Sequence, residues 1–117
     1  LLKIQKIDLY DNSWQYITPF PLGFILLENL QTLVFDSFNI TDFPSVNILP
    51  TTLTSIRIGN YGKICHIPDA ICRLNHLKEL SIPSNYLSGI SEKVYHFLRN
   101  NNVQHAISDS CFIKGPK

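Results

Sequence analysis

At 117 residues with 44% hydrophobic side chains, the chain has the makeup of one globular domain. A net charge of +1 with only 16% charged residues gives no electrostatic footprint for nucleic acid or an acidic membrane surface. No apolar run approaches the about 20 residues of a membrane span; the longest, around Phe20 to Leu27, is interrupted by Pro21 and Gly23.

In chain order, the first periodic segment places Ile4, Ile7, Leu9 and Asn12 at spacings of three, two and three. Alternation at Ile7 and Leu9 predicts a short strand with one apolar face. Between Ser13 and Leu27, Trp14, Tyr16, Ile17, Phe20, Leu22 and Phe24 make a stretch too aromatic for a solvated loop. Pro19, Pro21 and Gly23 forbid a continuous helix there, so a packed irregular return path is expected. The second segment carries Leu30, Leu33, Phe35, Ile40 and Phe43, with Phe38 at the turn position and Asn39 one place late. The third carries Leu53, Ile56, Ile58 and Ile64, with Tyr61 at the turn and one residue inserted before Ile67 and Pro68. Ile71, Leu74 and Leu77 then recur every third residue, which suits a short 3₁₀ or helical return.

The fourth segment, Leu74 to Ile90, is the most complete: Leu77, Leu80, Ile82, Asn85, Leu87 and Ile90 fall at L-x-x-L-x-L-x-x-N-x-L-x-x-I. Segment starts at Ile4, Leu30, Leu53 and Leu77 are 26, 23 and 24 residues apart. Beyond Ile90, SEKVYHFLRNNN predicts a helix with Ser91 as N-cap, Glu92 in the first turn, Val94, Phe97 and Leu98 on one face, and asparagines at its end. Val103, Ala106, Ser108 and Cys111 fit the strand template poorly and suggest a degenerate last coil or cap; Phe112 to Lys117 read as a loose tail.

The repeated spacing resembles the leucine-rich repeat family over most of the chain. Asn85, Leu87, Ser88, Gly89 and Ile90, with Asn60, Gly62, Ile64, Ile67 and Pro68, partly echo its plant-type pattern NxLSGxIP. The resemblance implies an α/β leucine-rich repeat solenoid: a curved parallel sheet, an irregular or short helical convex side, about four coils and a degenerate C-terminal coil or cap. One such coil cannot bury its own core, so copies must stack. Residues 1–117 are read as a single repeat domain, and the uncapped Leu1, Leu2 and Ile4 suggest a fragment of a longer array. Asn85 is expected to bridge backbone groups inside its turn, because an unmet buried polar group costs about 1–3 kcal/mol. A phenylalanine in the turn slot, as at Phe38, and a cysteine there, as at Cys111, are both tolerated in the family.

The family implies a non-catalytic protein-protein interaction module that takes a protein or peptide partner on the concave sheet face. Alternation assigns to that face Lys6, Asp8 and Tyr10 of the first coil, Thr32, Val34 and Asp36 of the second, Ser55 and Arg57 of the third, and Glu79 and Ser81 of the fourth. Stacked strands about 4.8 Å apart would align Asp8, Val34, Arg57 and Ser81 in one column and Tyr10, Asp36, Gly59 and Pro83 in another. A receptor ectodomain segment, or the recognition arm of a larger enzyme such as a receptor kinase or ubiquitin ligase, remain alternatives.

No glycine-rich phosphate loop, HExxH helix or GxSxG elbow occurs, and His66, His76, His96 and His105 announce no pairing with a nucleophile. No catalytic residue and no cofactor is therefore assigned. Cys65, His66, Cys72 and His76 supply zinc's preferred ligand types, but without the close-spaced pair of a structural site, so no metal is assigned either. An odd number of irregularly spaced cysteines argues against a disulfide framework and leans toward a reducing, intracellular compartment. Asn39, Ile40 and Thr41 form an N-x-T glycosylation acceptor, which would matter only in a secreted chain.

Overall fold

One turn geometry launches each inner strand. The amide of Leu30 donates to the Leu27 carbonyl at 3.0 Å, that of Leu53 to Pro50 at 3.3 Å, and that of Leu77 to Leu74 at 3.0 Å. Each turn ends on a leucine with no exposed surface. The apolar side chain is thus driven inward just where the chain becomes extended, and burying it stabilises the fold by about 1.5–3 kcal/mol. The computed structural model describes residues 4–9, 27–35, 43, 49–59 and 64–113, with 8, 9 and 35 described by their backbone.

β1 (Lys6–Leu9) comes first, and from the three turns run β2 (Thr32–Phe35), β3 (Ser55–Ile58) and β4 (Glu79–Ser81). They form one parallel four-stranded sheet in sequence order, β1-β2-β3-β4. Leu33, Ile56 and Leu80 are register partners across three strands, and all three are fully buried. Ile58 and Ile82 continue the inward face, as alternation predicts. Parallel strands need a crossover of a dozen or more residues, and starts 26, 23 and 24 residues apart satisfy it.

At the entries of β2, β3 and β4, consecutive amides converge on one carbonyl from the entry of the preceding strand. Gln31 and Thr32 donate to Gln5 at 2.8 and 2.9 Å, Thr54 and Ser55 to Gln31 at 2.8 and 2.9 Å, and Lys78 and Glu79 to Thr54 at 2.8 and 3.0 Å. Threonine hydroxyls add to the same rows, Thr52 donating to the Leu30 carbonyl at 2.6 Å and Thr54 to that of Gln31 at 3.1 Å. On the far side of the core a second backbone row appears: Ser88 donates to Cys65 at 3.1 Å, Ile90 to Cys111 at 3.0 Å and Ile113 to Ile90 at 2.7 Å. Between the rows lie the buried Ile64, Ile67, Ile71, Leu74, Leu87, Ile90, Val94 and Leu98.

The predicted return helices form. A 3₁₀ helix spans Asp69–Arg73 and buries Ile71. Helix α1 covers Glu92–Asn100, capped by Ser91, whose hydroxyl accepts the Val94 amide at 3.3 Å and donates to Asp69 at 2.5 Å. Val94 and Leu98 are buried, and Phe97 packs partly against the core. The helix ends with Asn102 at φ 53°, while the Asn102 and Val103 amides return to Arg99 and Leu98 at 3.1 and 2.9 Å. That is a Schellman closure, with asparagine in the left-handed position and Val103 against Leu98 as its apolar contact.

Three expectations change. Asn85 is exposed, and among the described residues its side chain has no hydrogen-bond partner, so it bridges nothing inside the turn. The buried Cys111 reaches the adjacent Ser84 carbonyl at 3.9 Å instead. The last coil buries Val103, Ile107 and Cys111, while Ala106 and Ser108 are exposed. The inward position shifts by one because the His105 ring accepts the Ile107 amide at 3.1 Å and diverts the chain, and Ser108 caps a second 3₁₀ turn, Asp109–Cys111. Phe112 is core rather than tail: it is buried, bridges Ile90 in parallel, and meets Tyr95 edge-on at 5.2 Å. The return path over 13–26, the turn residues Phe38, Asn39 and Tyr61 and the Asn39 acceptor lie outside the described residues.

Two outcomes test this packing. Leu80→Ala should lower unfolding stability by about 2–5 kcal/mol, whereas the exposed His76→Ala should change it by less than about 0.5 kcal/mol, both read from urea denaturation. Burial also holds the His105 imidazole below its ordinary value of 6.5, with the Asp109 carboxylate opposing more weakly. An unfolded chain therefore binds more protons below pH 6.5 than the folded one, and the stability present above that value is lost as pH falls toward the lower folded pKa. His105→Asn, whose amide oxygen can accept the same i+2 amide, should flatten this part of the pH dependence in denaturation curves at pH 7.5 and 5.5.

Candidate functional site: the outward face of the sheet

The outward positions form two rows. Lys6, Thr32, Ser55 and Glu79 are successive register partners, and so are Asp8, Val34, Arg57 and Ser81. The second row is the column expected from alternation. Tyr10 and Asp36 lie outside the described residues, and Asp8 is placed by its backbone alone.

Exposure sorts the remainder. Lys6, Arg57 and Ser81 are exposed; Thr32, Ser55 and Glu79 are half-buried. Val34 is the correction: at 9% exposure it is effectively buried. It lies in an inner strand between Asp8 and Arg57, where the neighbouring strands shield a short β-branched side chain but leave a long one free to emerge. Val34 forms the floor of this face, and the longer side chains around it stand above it.

Glu79 joins the two rows. Its Oε1 accepts the Ser55 hydroxyl at 2.6 Å across the β3–β4 register and lies 3.6 Å from Arg57 Nε on the diagonal. Diagonal neighbours in a sheet are within reach of long side chains. With side chains 56% and 39% exposed, this ion pair contributes at most about 0.2–1 kcal/mol to folding, so its consequence is orientation.

Two residues near this face were not singled out by alternation. Gln104 extends the Lys6–Glu79 row through a parallel bridge to Glu79, its amide donating to Lys78 at 2.8 Å and its carbonyl accepting from Leu80 at 2.9 Å. The buried Val103 just before it was the available signal. Tyr86, in the turn after β4, is 51% exposed and offers a rigid aromatic surface; only its place after Asn85 hinted at exposure.

The remaining candidates are not brought together. Cys65, His66 and His76 are exposed at separate points, and Cys72 sits in the first 3₁₀ helix with its thiol 4.0 Å from the Lys93 carbonyl. Among the described residues no group of three metal-ligating side chains occurs, and no helix is long and apolar enough to cross a membrane. All three cysteines are thiols. Burial pushes the Cys72 thiol above its ordinary 9.0, with Lys93 opposing and Asp69 adding to the rise.

Comparison with known proteins returns no matching family model, no matching curated protein and no matching solved structure. The described residues form an α/β arrangement with one parallel four-stranded sheet, one α-helix packed against the first 3₁₀ helix, and a polar outward sheet face.

Thiol reactivity should follow this placement. With a maleimide reagent at neutral pH, Cys65 should label first, Cys72 more slowly, and the buried Cys111 only after denaturation. Rapid labelling of Cys111 in the native protein would contradict its place in the core.

Proposed function

We propose that the chain is a stack of leucine-rich repeat coils forming a solenoid, and that it serves as a non-catalytic interaction module binding a protein or peptide partner on the outward sheet face. The observation that carries the repeat reading is the recurrence of one local unit. A three-residue turn, a buried leucine and two amides converging on one carbonyl of the coil before recur at Leu30, Leu53 and Leu77. Nearest-neighbour coils that bury each other's core are the physics of repeat arrays. The binding reading rests on shape and chemistry. The sheet presents hydroxyls, one braced guanidinium and one carboxylate on a rigid backbone, and arginine and tyrosine on such supports are favoured as hot spots. The convex side offers less, since its helix and 3₁₀ turn spend their polar groups on each other: Ser91 on Asp69, Asn101 on the Asn75 carbonyl at 3.2 Å.

A photo-crosslinking residue placed at Ser81 should capture a protein from extract of the native source, and the same residue at Arg73 on the convex side should not. With the captured partner purified, Arg57→Ala should weaken binding by more than about 1 kcal/mol and Arg73→Ala should leave it nearly unchanged. Asp69 is no neutral control, because its carboxylate holds the Ser91 cap of α1. Capture from Arg73 alone would place the interaction on the other face.

A further inference from the structure

Arg57 is held from one side only. Its Nε faces Glu79 Oε1 at 3.6 Å, and Glu79 is fixed in turn by the Ser55 hydroxyl at 2.6 Å. Among the described residues the two terminal guanidinium nitrogens have no partner, and more than half of the side chain is open to solvent. Its register partners are the buried Val34 on one side and the small, exposed Ser81 on the other, so among the described residues neither register partner covers the guanidinium. Asp8, the acidic member of the row, lies two strands away beyond Val34. A guanidinium is a rigid fork of five donors. Engaged through Nε, it still offers the parallel pair of N–H groups that grips a carboxylate in bidentate fashion.

On the reading of this face as a partner-binding surface, we infer that Arg57 receives a carboxylate from an aspartate or glutamate side chain of the partner, with Ser55 and Glu79 as positioning residues. The choice of carboxylate over phosphate follows from local charge. Glu79 already half-neutralises the guanidinium, so a group of charge near −2 would meet strong repulsion from Glu79, while a singly charged carboxylate shares the cation at lower cost. Thr32 and Ser81 supply hydroxyls around the fork that donate to the partner's backbone carbonyls, the Ser55 proton being engaged by Glu79.

The test is a phage-displayed random-peptide library selected on the purified chain, with Ser81→Trp as a variant that obstructs the face. Selected peptides that lose binding to Ser81→Trp should share an acidic residue. Changing that residue to its amide, or Arg57→Gln, should each weaken binding about tenfold or more. The two changes together should cost little more than either alone. Arg57→Lys, which keeps the charge but not the fork, should not restore affinity, and Glu79→Gln should weaken binding without shifting the peptide preference. Thermal melts of the variants should match the parent, since Arg57 is exposed. Peptides blocked by Ser81→Trp but lacking an acidic residue, or indifferent to Arg57→Gln, overturn the carboxylate assignment and leave the face reading standing. Tighter binding when phosphoserine replaces the acidic residue overturns it as well. Peptides that ignore Ser81→Trp, or the absence of any selected peptide, overturn both.

Discussion

The described sheet hangs on the backbone row in which two consecutive amides at one strand entry share a single carbonyl just before the preceding strand. The row at Gln5, Gln31 and Thr54 fixes where each strand begins relative to its predecessor. A slip of one residue would turn every side chain of a strand to the opposite face. Leu33, Ile56 and Leu80 would then leave the core together, and Val34, Arg57 and Ser81 would enter it. Because an arginine cannot be buried unpaired without a cost of several kcal/mol, the hydrophobic pattern and the hydrogen-bond row enforce the same register.

The same row explains how so polar a face can be rigid. Its strands are only three or four residues long, yet β2 and β3 are paired along both edges, and β2, β3 and β4 each follow a leucine with no exposed surface. A side chain on such a strand stands on a backbone already fixed by the sheet, which on the proposed reading of this face lowers the entropy lost on binding. The pairing of Glu79 with Ser55 and Arg57 adds orientation to rigidity: a weak ion pair for folding becomes a means of aiming a guanidinium.

The C-terminal end shows a different economy of polar groups. Helix α1 closes through Asn102, Val103 packs beneath it, and the imidazole of His105 takes an amide that the regular template would have left to the strand ladder. Phe112 then covers Tyr95 and meets the His105 ring at 6.5 Å. Local side-chain acceptors and an aromatic edge contact replace the leucine spacing, and the segment departs from that spacing while keeping Val103, Ile107, Cys111 and Phe112 buried.

The sequence by itself determined the strands, the 3₁₀ turn, the capped helix and the inward leucines and isoleucines of the third and fourth segments. Each is written in spacing that local stereochemistry enforces: alternation for a strand, a serine and a glutamate for a helix start, three-residue recurrence for the tight return. The outward rows were legible for the same reason, since parallel strands entered at equivalent turns align equivalent residues. What only the tertiary structure decided is which of those residues meet and how far each emerges. Val34 and Arg57 share a row and a parity, yet shielding by neighbouring strands leaves one as floor and the other as surface. Glu79 reaches Arg57 on the diagonal because side-chain length and rotamer, not spacing, set that contact. Asn85 stays exposed and Cys111 reaches the Ser84 carbonyl for a similar reason: which polar group of a turn is met depends on the distant segment packed against it, and local spacing does not encode that neighbour.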